Sequence, residues 1–181
     1  MATKVDLLTA EDLYSSPSDR RGELVNGVFI DMAPPGVEHG GVVGNVAWLL
    51  GAYVRPRRLG RVLVGPGCVL RRNPDTVRAP DVSFIRADRI PPGGLSRRFR
   101  EGAPDLVVEV IAPPDTRVEV ETKLREWIEA EARLVWLLYP ETRRVQAARS
   151  LLDRVLLTTD QILDGGDVLP GFSIRVAELF E

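Results

Sequence analysis

The spacing of apolar and polar positions changes character several times along the chain, and each change predicts an element. Leu8–Tyr14 (LTAEDLY) predicts a short first helix, with Thr9 as its N-cap and Asp12 at the capping-box position. Ser15–Asp19 reads as a loop. Glu23-Leu24-Val25 and Val28-Phe29-Ile30 flank Asn26-Gly27, a strong short-range hairpin signal. From His39 to Tyr53, apolar residues fall at helical spacing (Val42, Val43, Val46, Leu49, Leu50), which predicts a second helix ending before Pro56. Strands follow at Arg61–Val64, Cys68–Arg71 and Val82–Ile85, with a loop at Pro91–Gly94. The unbroken apolar run Leu106–Ile111 (LVVEVI) predicts a central strand buried on both faces. Pro113-Pro114 stops it, and Asp115 or Thr116 caps a helix running to about Ala130. The strand Leu134–Tyr139 comes next, so strand, helix and strand form a βαβ-like unit with a parallel crossover. Arg143–Ala148 and Arg154–Thr158 are further strands, ahead of Leu169-Pro170-Gly171-Phe172. There is no internal repeat, low-complexity segment or linker, and 181 residues suit one domain spanning 1–181.

Composition narrows the function classes. Charged residues make up 28% of the chain and no apolar run approaches the ~18–20 residues of a membrane span, so a globular protein without a membrane anchor is expected. The N-terminus lacks a signal-peptide layout, and a cytoplasmic location is the default expectation. Cys68 is the only cysteine, which excludes an internal disulfide and a cysteine-rich zinc site. The net charge of −2 means that any nucleic-acid binding must come from local patches. The candidates are arginines 55, 57, 58 and 61, or 97, 98 and 100, although solvated faces are the ordinary role of such clusters. Only Lys4 and Lys123 among the 24 basic residues are lysine, so Lys123 stands out.

Two acids are out of place in this pattern. Alternation puts Val107, Glu109 and Ile111 on one face of the LVVEVI strand, and a carboxylate there is costly to bury unless paired, protonated or metal-bound. A strand-end glutamate bridged to an arginine would also satisfy the pattern. Asp81, in Pro80-Asp81-Val82-Ser83-Phe84-Ile85, sits at the entry to another apolar strand, where aspartate also serves turns. Two carboxylates on adjoining strand ends make a hard, oxygen-rich site suited to Mg²⁺ or Mn²⁺. In the helix after the Glu109 strand, Val120, Leu124, Trp127 and Ile128 form the apolar stripe. Lys123 falls at its edge, either snorkelling over the core or reaching back towards Glu109.

The order Asp81, Glu109, Lys123 resembles the PD-(D/E)XK nuclease superfamily, and more specifically its Uma-two family of restriction-endonuclease-like proteins. The similarity is carried by GELVNGVFIDMAPPGVEHGGVVGNVAWLL, APDVSFI, PDLVVEVIAPPDTRVEVETKLREWIEAEARLVWLLYPETRRV and VLPGFSIRVAELF, in that order over nearly the whole chain. The resemblance implies an α/β (α+β) fold with a restriction-endonuclease-like mixed β-sheet core flanked by helices. It implies a Mg²⁺- or Mn²⁺-dependent endonuclease acting on DNA, with Asp81, Glu109 and a carbonyl near Val110 as metal ligands. The superfamily's lysine position, two residues after the second acid, holds Ile111 here. The chain is therefore similar to members whose lysine has moved to the next helix, here Lys123. Glu23 matches an early family glutamate that binds metal or orients the lysine. His39, the only histidine, matches one at the start of the second helix, with phosphate contact or proton transfer as its roles. On residue type alone a helix-start or hydrogen-bonding role is the more ordinary one for His39.

Two other functions fit the same residues. A catalytically degenerate nuclease fold would bind nucleic acid or a protein partner without turnover. A two-carboxylate glycosidase would ignore metal, but the chain is short and its aromatic content of 6% offers little to stack a sugar. Nucleases that cut two strands often pair, so a homodimer or larger homo-oligomer is the expected assembly.

Overall fold

The computed structural model describes residues 7–16 and 21–181. Part of the loop expected at 15–19 lies outside them. Helix α1 (Ala10–Tyr14) begins at the predicted cap: the Thr9 hydroxyl accepts from the Asp12 N–H, and the Asp12 carboxylate accepts from the Thr9 N–H at 2.8 Å. Strands β1 (Gly22–Val25) and β2 (Val28–Asp31) form the Asn-Gly hairpin, with φ of 51° and 77° at its two turn residues. Positive φ at both central positions is what this tight turn demands.

Helix α2 (Val37–Arg57) is longer than its apolar pattern predicts and runs through Pro56. Its end is set instead by Arg58 in the left-handed conformation, with the Leu59 N–H turning back to the Val54 carbonyl. Strands β3 (Gly60–Val64), β4 (Cys68–Arg71), β5 (Thr76–Arg78), β6 (Val82–Arg86), β7 (Arg100–Glu101) and β8 (Leu106–Val110) follow. Helix α3 (Arg117–Glu129) starts at a full capping box on Thr116 and Glu119 and leads into β9 (Leu134–Tyr139). Strands β10 (Arg144–Ala148), β11 (Arg154–Leu157), β12 (Ile162–Asp164) and β13 (Ser173–Arg175) complete the chain with a 3₁₀ turn at Val176–Phe180. Strands β5, β7, β12 and β13 are not predicted by periodicity. Each has only two or three residues, too few to show alternation, and tertiary pairing alone makes them strands.

Six strands form the central sheet in the order β11-β10-β9-β8-β6-β3. β8 and β9 pair in parallel, as the crossover through α3 predicts, and the other neighbours are antiparallel. The sheet is therefore mixed and flanked by helices, which is the expected fold class. On one face, Val42, Val46, Leu50 and Val54 of α2 pack on Phe84, Val108 and Trp136, and the C-terminal Phe172 and Leu179 join them. On the other, Val120, Leu124 and Trp127 of α3 pack on Val107, Val135 and Leu137. A second sheet, ordered β2-β1-β5-β4-β7, is backed by α1 through Ala10, Leu24, Val69 and Val77. The faces of β8 thus diverge: its even-numbered residues feed the α2 core, and Val107 feeds the α3 core.

Candidate active site

The antiparallel register of β6 and β8 runs through Val82↔Val108 and stops there. One step further along, Asp81 comes opposite Glu109. Pro80, just before it, has no N–H to continue a ladder. The Asp81 carboxylate takes over the pairing: its Oδ2 accepts the Val110 N–H at 2.8 Å. That bond fixes Asp81 across the end of β8. His39, in the first turn of α2, brings its Nε2 to 3.3 Å from the same Asp81 oxygen. The His39 Nδ1 is enclosed and has no partner among the described residues. Burial raises the Asp81 pKa, against the pull of the Val110 N–H, His39 and Lys123.

Glu109 is the more strongly perturbed acid. It is 5% exposed, and its Oε1 accepts the Trp127 Nε1–H at 2.8 Å. No arginine bridges it among the described residues, so the strand-end ion pair that the sequence also allowed does not form. Burial pushes its carboxyl up to about 8; Lys123 opposes that rise, and the Asp81 and Glu23 charges reinforce it. The carboxyl is thus short of positive charge in this arrangement.

Lys123 projects from α3 into the same region, with its Nζ 3.8 Å from Glu23 Oε2. Burial works against its charge, but Glu109 and Glu23 outweigh that and its pKa is raised. Glu23, 3% exposed on β1, is held from two further directions: Arg78 Nη1 donates to Oε2 at 2.6 Å and the Ala79 N–H to Oε1 at 3.0 Å. Arg78 also bridges Glu126 of α3 at 2.7 Å. An ion network therefore ties the second sheet to α3 behind Lys123. Sequence reasoning missed Arg78, Glu126 and the polar role of Trp127. Arg78 carries no spacing signal, because its strand is three residues long, and Trp127 reads only as part of an apolar stripe.

The structure brings Asp81, Val110 and His39 together at one end of β8, and Glu109, Lys123 and Glu23 beside them. A cleft of about 360 Å³ opens over His39 and Asp81, with Arg78 and Phe99 also in its lining; Glu109, Lys123 and Glu23 lie behind it and do not line it. A hollow of about 600 Å³ at the ends of β8 and β9, by Tyr139 and Arg154, contains none of these site residues, so size alone does not mark the chemistry. No group of three or more His, Cys, Asp or Glu residues gathers around a common point among the described residues. A site here must draw on two carboxylates, backbone and solvent. That donor set consists of hard oxygens and fits Mg²⁺ or Mn²⁺, which take one or two carboxylates and keep several waters. It does not fit zinc.

The family model for Uma2, described as "Putative restriction endonuclease", matches residues 9–177. The chain belongs to the Uma2 family. A solved structure similar to it, the crystal structure of a "putative nuclease belonging to DUF820" from Anabaena variabilis, has a TM-score of 0.83 at 19% identity. The match covers 96% of this chain and 97% of that one, so the Uma2 fold is shared end to end. A search of curated proteins gave no match. No helix among the described residues is long and apolar enough to cross a membrane. The stretches in which the sequence resembles this family converge here: the hairpin brings Glu23, the start of α2 His39, and the β8–α3 unit Glu109 and Lys123.

Proposed function

We propose that this chain is a metal-dependent endonuclease that hydrolyses phosphodiester bonds in DNA, with Asp81, Glu109 and the Val110 carbonyl holding Mg²⁺ or Mn²⁺. The observation that carries the reading is geometric: the buried Glu109 on β8 stands across from Asp81, which the Val110 N–H fixes at the end of the same strand, and burial raises the pKa of both carboxyls. A divalent cation held by Asp81 and Glu109 would supply positive charge that Lys123 alone does not. Membership of a family described as "Putative restriction endonuclease" supports the reaction class.

When bound, the ion would polarise a phosphate and lower the pKa of a water. The chain's own groups do the rest. The Val110 N–H aims Asp81. Lys123 keeps its proton, because Glu109 and Glu23 raise its pKa, and it therefore steadies negative charge developing on the phosphate rather than acting as a base. Glu23, locked by Arg78 and the Ala79 N–H, holds the ammonium in place. His39, beside Asp81, contacts phosphate or carries a proton to or from a reacting oxygen. A homodimer, giving two such sites for two strands, belongs to the same reading, and sedimentation velocity measures it.

The test is calorimetric titration of Mn²⁺ and Mg²⁺ into the wild type, Asp81→Ala and Glu109→Ala, with plasmid nicking followed in the same samples. The expected result is binding and nicking in the wild type and loss of both in the variants. Metal binding without nicking would favour the degenerate binding module. No metal binding by the wild type would refute the hydrolytic reading.

A further inference from the structure

The cleft above Asp81 does not end at its own wall. Gly67 and Phe99 line it, and they also line a second hollow, of about 650 Å³, on the far side of the Phe99 ring. The wall is tightly built. A Cβ on Gly67 would lie 2.3 Å from the Phe99 ring, so the ring rests directly on bare backbone. Tyr14 supports it from the other side, edge to face at 5.3 Å.

The second hollow is lined by Arg89, Arg97, Arg98 and Arg100. Their charge is mostly unanswered. Arg89 bridges the buried Asp105 at 3.1 Å. Arg97 and Arg98 form no ion pair among the described residues, and Arg98 lies over the Tyr14 ring at 5.6 Å. Arg100 is the most telling of the four. Its Nε is enclosed and has no hydrogen-bond partner among the described residues, and its backbone is pinned beside β4, with Arg100 paired to Cys68 and its N–H donating to the Gly67 carbonyl at 2.9 Å. Burial and the like charge of Arg89 depress its pKa, against the smaller opposing pull of Cys68 and Asp105. The one carboxylate on the rim, Glu101, is engaged by Arg72 at 2.5 Å. A half-buried guanidinium beside another cation, incompletely paired within the fold, gains from a nearby anion. Beyond Leu95, which both share, a third hollow continues the line with Arg55, Arg58 and Arg61.

We infer that Arg97, Arg98 and Arg100 form a phosphate-binding track leading out of the Asp81 cleft over Phe99, which holds the backbone of the nucleic-acid strand presented to that cleft. The inference rests on the nucleolytic reading for its ligand and adds where the strand lies. Of the two arginine clusters visible in the sequence, this one adjoins the cleft directly, and the cluster at 55–61 reaches it only by way of the second hollow. The contacts are to phosphate, so they add affinity at every sequence and carry no base preference.

Fluorescence anisotropy of a labelled duplex oligonucleotide, in EDTA and over a range of NaCl, tests it without cleavage. Arg97→Ala/Arg98→Ala removes two exposed side chains with little risk to folding. Arg143→Ala/Arg144→Ala removes the same charge near the opposite edge of the central sheet. The expected result is weaker binding for the first pair alone, with the slope of log K against log salt reduced by about 2, near one per lost phosphate contact. Arg100→Gln should weaken binding in the same direction. Equal affinity and slope for the two double variants would overturn the inference, as would absence of binding by the wild type. Arginine-dependent binding without metal-dependent nicking would uphold the track and refute the hydrolytic reading. Normal nicking with unchanged KM in Arg97→Ala/Arg98→Ala would do the reverse.

Discussion

Glu109→Gln separates a structural acid from a metal-binding one. In the fold its carboxyl pKa is pushed up to about 8, from an ordinary value of 4.5, chiefly by burial. The folded state therefore binds more protons than the unfolded chain between those two pH values. For a raised acid, that makes stability highest below about pH 4.5, falling as pH climbs to about 8, and level above it. The difference of about 3.5 units corresponds to at most about 5 kcal/mol at 1.36 kcal/mol per unit, and to about 2–3 kcal/mol once the site relaxes and water enters. Glutamine retains an oxygen to accept the Trp127 Nε1–H and has nothing to ionise. Urea denaturation at pH 5 and pH 9 in EDTA measures both proteins. The wild type should lose about 2–3 kcal/mol more than Glu109→Gln across that interval, or roughly 4–12 °C in Tm for a chain of this length. At pH 9 with the EDTA omitted, millimolar Mg²⁺ should restore stability to the wild type alone, because only its carboxylate pair attracts the ion. Parallel pH profiles for the two proteins would refute the claim that Glu109 is an undercompensated buried acid.

Arg78→Leu should be the most damaging change to the second sheet, since it strands Glu23 and Glu126 without their shared cation. A loss of about 3–5 kcal/mol in chemical denaturation is expected, and a loss below about 1 kcal/mol would mean that water already serves those acids. Trp127→Phe keeps the ring in the α3 core but deletes the Nε1–H donor to Glu109. It should cost about 1–3 kcal/mol at pH 9 and less at pH 5, where the carboxyl is protonated, both read from urea midpoints. Gly27→Ala places a side chain at φ 77°, a left-handed turn position, and should lower stability by about 1–2 kcal/mol with nicking unchanged per folded molecule; an unaltered Tm would contradict the turn geometry.

Much of this molecule can be read from the sequence because the relevant physics is local. Asn26-Gly27 dictates a turn, Thr9 and Thr116 cap their helices, and Leu106–Val110 is apolar enough to be buried on both faces whatever lies beside it. The β8–α3–β9 unit follows from its own length and handedness. Glu109 and Asp81 draw notice for the same reason: a charge among apolar neighbours, or at the mouth of an apolar strand, is conspicuous without knowledge of the fold. The helix boundary at Pro56 is a different case. Whether a proline ends a helix depends on which carbonyl it deprives and what replaces the donor. Here α2 continues one residue past it and closes on Arg58.

Tertiary structure decided what those acids face. That Asp81 lies across from Glu109 follows from the β6–β8 register, and register is set by pairing between strands some twenty residues apart in sequence. That Lys123 answers Glu23 as well as Glu109, that Arg78 braces both sheet and helix, and that Trp127 spends its N–H on a carboxylate all depend on contacts across 14 to 100 residues of chain. Periodicity assigns a residue to a face; it does not say which partner stands opposite. The sequence alone determined which elements form and which two acids are costly to bury. Only the packed structure decided how that cost is met, because the stabilisation of a buried charge depends on the distance and direction of its partners, and these exist only once distant strands and helices have closed around it.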